Sequence, residues 1–279
     1  MPARFAIVNG MLGTSIQEAL SRYADWCARN GYTTPQVISL EDDYLVPLAR
    51  DTVSSLHPRF QPADVTIMEV LLLPKPLLIQ LWTKAFDQAD QRIRESLASD
   101  RPVILTFHGV WLHLGVREYV SGVDFASLAN LQVRPDIVFT LIDDIYDIKS
   151  RLSKPNGIFS CPVGEPDEYL TSVLRLLQIL DWRNTENVLS SIVAQILNSK
   201  HFVLDVKHPI SVFHDLFVGT DKKLVYIAHP ISEVRRLLRG DDNEGQLAEG
   251  IVELIQDLTR GLREQFIVFE PTAIDELRF

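Results

Sequence analysis

Sixteen residues near the start, Phe5 to Leu20, constrain this chain most. Phe5-Ala6-Ile7-Val8 is a short, unbroken apolar run of the kind that forms a strand buried on both faces. Asn9-Gly10-Met11-Leu12-Gly13-Thr14-Ser15 follows as a turn punctuated by two glycines. Ile16, Leu20 and Tyr23 then recur at helical spacing. A strand, a glycine loop and a helix in that order can receive phosphate. Glycines let backbone N–H groups come close to the anion, and the helix N-terminus adds positive potential.

The same alternation continues. Gly31 is placed to end the first helix, over Thr14 to Asn30. Pro35 to Leu40 reads as a second strand, running into Glu41-Asp42-Asp43-Tyr44. Carboxylates there sit on the ligand edge of a parallel sheet. Residues 45 to 75 look irregular, broken by prolines 47, 58, 62 and 74, with Ile67 to Leu73 as a short helix over a cleft. Leu77 to Ala98 carries one apolar stripe through Leu81, Trp82, Ala85, Phe86, Ala89 and Ile93 and is a core helix. Val103 to Phe107 is a third strand, ending at His108-Gly109, and Pro135 to Asp144 a fourth. Its following helix carries Ile145, Ile148 and Arg151. Tyr169 to Leu180 and Asn184 to Leu197 read as two helices, with Thr185 able to cap the second, and His201 to Val206 as a fifth strand.

His-Pro-Ile-Ser occurs twice, at 208–211 and 229–232, each time after a strand. Proline ends the strand, and Ser211 or Ser232 can cap the next helix. Strands alternating with helices give an α/β fold: a parallel sheet with helices on both faces, plus a C-terminal β-α-β unit.

Several pieces resemble P-loop nucleoside and nucleotide kinases. The first-strand position and the GxxGTS pattern resemble their phosphate loop. ISLEDDYL is similar to the strand-and-acid element of the uridine-kinase-like members. PDIVFTLIDDIYDIKSRL is similar to the fourth strand and following helix of the adenylate-kinase-like members. The resemblance implies that ATP or another nucleotide is held by Asn9, Gly10, Gly13, Thr14 and Ser15, with Mg2+ on Ser15 or Thr14 and an acid. Glu41, Asp42 and Tyr44 fall on positions facing the acceptor, Asp42 as its base. Asp143, Asp144 and Arg151 fall on the strand-end acids and a phosphate-facing cation. The chain departs from the pattern where the loop should read Gly-Lys-Ser/Thr. Ser15-Ile16-Gln17 stands there, and no lysine precedes Lys75. Three readings stay open: binding without strong catalysis, a cation from elsewhere, or a loop retained only as structure.

KLVYIAHPIS and REQFIVFEP resemble the opening of the nucleoside 2-deoxyribosyltransferase-like fold, which places His229 and Ser232 beside a nucleotide sugar. The match covers about 55 residues, and that family's catalytic Glu lies further on than this chain runs. The unit is abbreviated, or another chain completes it in a homo-oligomer, or the likeness is topological. The domains expected are 1–218, P-loop-kinase-like, and 219–279.

Three functional expectations compete: a nucleotide-binding protein of kinase descent with weak or lost phosphotransferase activity, an active ATP-dependent kinase for a small hydroxylated acceptor, and a nucleoside or nucleotide N-glycosidase or deoxyribosyltransferase-like enzyme at the C-terminal unit. A net charge of −10 and a pI near 5.2 argue against nucleic acid or anionic membrane as partner. No apolar run reaches the about 18 residues of a membrane span, and no signal pattern opens the chain. Cys27 and Cys161 lack metal-ligand spacing and read as free thiols of a reducing, cytoplasmic setting.

Overall fold

A computed structural model describes residues 4–56, 65–71, 73–113, 118–154, 158–159, 169–227, 237 and 242–269. The chain forms two compact units, Met1–Val206 and Lys207–Phe279.

The first unit is built on five parallel strands: β1 (Phe5–Asn9), β2 (Gln36–Ser39), β3 (Val103–Phe107), β6 (Ile137–Ile142) and β7 (Lys200–Asp205). Their order across the sheet is β2-β3-β1-β6-β7. Every residue of β1, β3 and β6 is buried, as apolar strands at the middle of a parallel sheet must be. Alternation sorts their side chains. Phe5, Ile7, Val103, Leu105 and Phe107 join a core cluster with Trp82, Phe86, Ala89 and Ile93 of α4 (Lys75–Ala98). Ala6, Val8, Ile104 and Phe139 are just as buried on the opposite face. Each Val, Leu, Ile or Phe among them contributes about 1.5–3 kcal/mol by leaving water.

Strand order decides where a ligand can sit. From β1 the chain crosses through α1 (Ile16–Arg29) to β2 on one side, and from β3 it later crosses β1 to β6 on the other. The reversal opens a crevice at the carboxyl ends of β1 and β3. Register brings those ends level: Asn9 pairs with Phe107 and with Thr140. A second cluster anchors the loop from below. Met11 packs there with Ile145, Ile148 and Leu152 of α6 (Ile145–Leu152), with Val110 and Leu112, and with Ile179 and Trp182.

Several expectations are corrected. Residues 46–56 form a helix, α2 (Val46–Leu56), after a wide helical turn at Leu40–Leu45. The helix near 67 is short, α3 (Ile67–Leu71). After β3 comes an antiparallel hairpin, β4 (Val110–His113) with β5 (Glu118–Ser121), then α5 (Phe125–Ala129). The two helices of 169–197 are one, α7 (Tyr169–Leu197). Trp182, fully buried, donates its indole N–H to the Val110 carbonyl at 2.9 Å, so the supposed break is a packing site. Thr185 lies inside that helix and returns its hydroxyl to the Asp181 carbonyl at 2.8 Å instead of capping.

In the second unit α8 (Ile210–Val218) is followed by β8 (Lys223–Tyr226), α9 (Asp242–Leu262) and β9 (Phe266–Phe269). β8 and β9 pair in parallel as a sheet of their own. Pro209 occupies the N-cap of α8 and Ser211 lies within the helix, so the expected serine cap is absent there. Gly219 ends it at φ +71°, a conformation that favours glycine. Among the described residues no helix is long and apolar enough to cross a membrane.

Candidate functional site

The β1–α1 loop begins at Gly10 because nothing larger fits. A Cβ there would lie 2.6 Å from the Leu141 carbonyl oxygen. The loop turns on a bond from Thr14 N to the Met11 carbonyl, 3.1 Å. Gly13 makes the next bend at φ +91°, with its Cα side against Ile148 and Leu152. Ile16 N donates to the Thr14 carbonyl at 2.8 Å.

Ser15 stands at the N-cap of α1, the place where a hydroxyl would satisfy the helix's first amides. Its side chain makes no such bond. The hydroxyl donates to Asp143 Oδ2 at 2.7 Å. Arg151 donates to the same oxygen at 2.7 Å and, through its other terminal nitrogen, to the Gly13 carbonyl. Asp143 Oδ1 accepts from Asp144 N at 2.8 Å. Burial would push the Asp143 carboxyl up, but Ser15, Arg151 and the Asp144 amide outweigh it, and the group is held below its ordinary value. Asp144 serves α6 as N-cap, accepting from Tyr146 N and Asp147 N.

The facing wall comes from β2 and β3. Ser39 Oγ accepts from Asp42 N and donates to Asp42 Oδ2 at 2.9 Å, fixing the turn that carries the acids. Glu41 is buried. Its Oε1 accepts from His108 N at 2.6 Å and lies 3.5 Å from His108 Nδ1. Behind them Glu186, on α7 and fully buried, accepts from Gly109 N at 2.8 Å and Val110 N at 2.7 Å. Burial pushes its carboxyl up to about 7, the two amides and His108 notwithstanding.

Between these walls lies a cleft of about 370 Å³, in the range of small-molecule sites. Of the sequence-predicted residues, Gly13, Thr14, Ser15, Glu41, Asp42 and Arg151 line it. Asn9, Gly10, Asp143 and Asp144 stand beneath its loop wall rather than on its surface, and Tyr44 packs against the main core. The Thr14 hydroxyl is buried with no hydrogen-bond partner among the described residues. His229, Ser232 and the acid Glu270 lie outside the described residues, as does Cys161. Cys27 is a buried free thiol.

Magnesium does not suit the loop-side groups as they stand. Both Asp143 oxygens already take donors, one of them the cationic Arg151, and Asp144 is committed to its helix. Among the described residues no three acidic, His or Cys side chains gather into a metal site.

Sequence reading passes over Glu186 and marks His108 only as the end of the third strand. Glu186 lies eleven residues from the end of a helix that looked broken. Its partners are backbone amides of a hairpin, which leave no pattern in sequence.

No protein-family model matches this sequence, and neither does any curated protein. Among solved structures, a sugar kinase from Janibacter sp. HTCC2649, determined without ligand, is similar over 79% of this chain and 96% of its own, at 14% identity and a TM-score of 0.40. A similarity of that size carries no argument about what this chain binds.

Proposed function

We propose that the cleft receives the phosphate group of a nucleotide at the N-terminus of α1, in a protein of P-loop kinase descent. The observation that carries this is the diverted cap. Ser15 gives its hydroxyl to Asp143, so the first turn of α1 is left without a side-chain cap at the wall of a cleft. Uncapped first-turn amides and the helix dipole favour an anion. Thr14 adds a buried hydroxyl with no partner among the described residues beside them. Arg151, whose guanidinium has two partners and five N–H groups, keeps donors for a phosphate oxygen.

Calorimetric titration with ATP, AMP and adenosine tests the reading. ATP and AMP bind and adenosine does not. Equal affinity for all three, or none for any, overturns it. Ile16→Lys restores the missing cation and tightens ATP roughly tenfold or more, the size of one charge-assisted hydrogen bond. An unchanged affinity means that the loop is not where phosphate sits.

A second reading, phosphoryl transfer, is favoured by Asp42, which is exposed and lines the same cleft opposite the loop. The acceptor oxygen bonds to the terminal phosphorus of ATP, the bond to ADP breaks, and Asp42 takes the hydroxyl proton. Asp42→Asn then stops turnover and leaves ATP affinity alone. Turnover that survives the change removes Asp42 from the step.

A further inference from the structure

We propose that the imidazole of His108 supplies the cation that the glycine loop lacks, donating from Nε2 to the anionic group of the cleft's ligand. The inference rests on the phosphate-binding reading above and names a residue that it does not use.

The geometry is a carboxylate-backed histidine facing open space. His108 lines the cleft, with its side chain 23% exposed. Nδ1 is buried, 3.5 Å from Glu41 Oε1 and without a hydrogen bond, and among the described residues none bonds Nε2. The ring leans on the Trp111 indole, 4.9 Å between centroids, which limits how it can turn. Glu41 also holds the His108 backbone amide, and Glu186 holds the next two amides, so the residue is fixed from both ends. A carboxylate against Nδ1 favours a proton there, so Nε2 becomes a donor when the ring takes up its second proton.

The charged groups facing the ring come from two elements. Glu41 and Asp42 are on the turn after β2, and Glu186 is on α7. Burial works against a charged ring, but these three carboxylates outweigh it and raise His108 above its ordinary value. Among the residues lining the cleft, the cationic side chains are then Arg151 and His108, against Glu18, Glu41 and Asp42. Arg151 is partly committed to Asp143 and Gly13. His108 has its distal nitrogen uncommitted, and an anion that meets it needs the ring protonated.

The test is titration of the full-length protein with ATP from pH 6 to pH 9, beside His108→Gln and Glu186→Gln. The ionisation of ATP is common to all three and cancels in the ratio of affinities. Wild type binds roughly tenfold tighter than His108→Gln at the acid end and equally at the alkaline end, as expected for one charge-assisted hydrogen bond lost with one proton. Glu186→Gln removes a facing charge without touching the cleft, so the midpoint of the wild-type profile moves to lower pH. If His108→Gln does not fold, that midpoint, read against the titration of the His108 ring by NMR, decides the matter. If ATP binds and neither substitution changes the profile, His108 is not the cation and this inference alone falls. If wild type takes up no ATP at any pH, the phosphate-binding reading fails and takes this one with it.

Discussion

On the loop side of the cleft the charges are matched closely: Asp143 takes Ser15, Arg151 and its neighbour's amide. On the β2–β3 side Glu41, Asp42 and Glu186 share one imidazole. The contrast separates two jobs. Matched charges hold the loop in one shape across the neutral range. Unmatched carboxylates hold a proton at the wall of the cleft. Their pH limits therefore lie at opposite ends. Asp143, held low, contributes stability above its ordinary value that is lost as pH falls toward its folded value. Glu186 and His108, both held high, contribute stability at low pH that is lost as pH rises through their folded values.

The largest expected effect belongs to Glu186. Raised from 4.5 to about 7, it makes the fold less stable by about 3 kcal/mol as pH rises across that window and just beyond it. Urea unfolding from pH 4.5 to 8.5 measures the slope. In Glu186→Gln the part of the slope that it causes disappears, and a slope unchanged by the substitution would mean that the proton is stored elsewhere.

Arg151→Met breaks the matched side. Asp143 is left buried with a hydroxyl and an amide but no cation. A fully buried pair so broken costs about 3–5 kcal/mol. Here the guanidinium is 30% exposed, so roughly 2 kcal/mol is expected. The loss stays constant from pH 6 to pH 8, where the Glu186 loss is still growing. A variant whose deficit changed across that range would show that the two walls are electrically coupled.

The five parallel strands were legible because each is a run of β-branched, leucine and aromatic residues ending at a polar turn, as in Val103-Ile104-Leu105-Thr106-Phe107-His108. The glycine loop was legible for a stereochemical reason: Gly13 needs φ +91° and Gly10 cannot carry a Cβ. The β4–β5 hairpin was missed because its strands are four residues each, and α7 looked broken at Asp181-Trp182-Arg183 because its polar positions face both solvent and buried amides. Glu186 has no local signature at all, since its partners lie 76 and 77 residues away. Ser15 was read rightly as part of the loop, but its bond to Asp143, across 128 residues, is a product of strand order.

Gly10→Ala acts on the loop's geometry instead of its charge. The added methyl meets the Leu141 carbonyl, backbone that cannot rotate away, and the strand end has to shift. About 1–2 kcal/mol of stability is lost, the usual size for an overpacked site, and phosphate affinity falls with it. Denaturation and ATP titration on the same sample check both. Full stability with full affinity would mean that the β1 end has room the structure denies it.

Ser15→Ala is the smallest of these effects and the most specific. A residue at an N-cap position is expected to hold the first turn of its helix, and losing it frays that turn. Ser15 instead supports a buried carboxylate, so its removal costs about 1 kcal/mol, one hydrogen bond to a charged group partly made up by Arg151. The loss shows in the acid limb, because Asp143 without the hydroxyl titrates at a higher pH and the fold gives way earlier as pH falls. Hydrogen exchange at Gln17 and Glu18 stays as it was, since those amides never had the hydroxyl. Faster exchange there, with the acid limb unmoved, would return Ser15 to the cap, satisfy the first turn of α1 from within, and close the place where phosphate is proposed to bind.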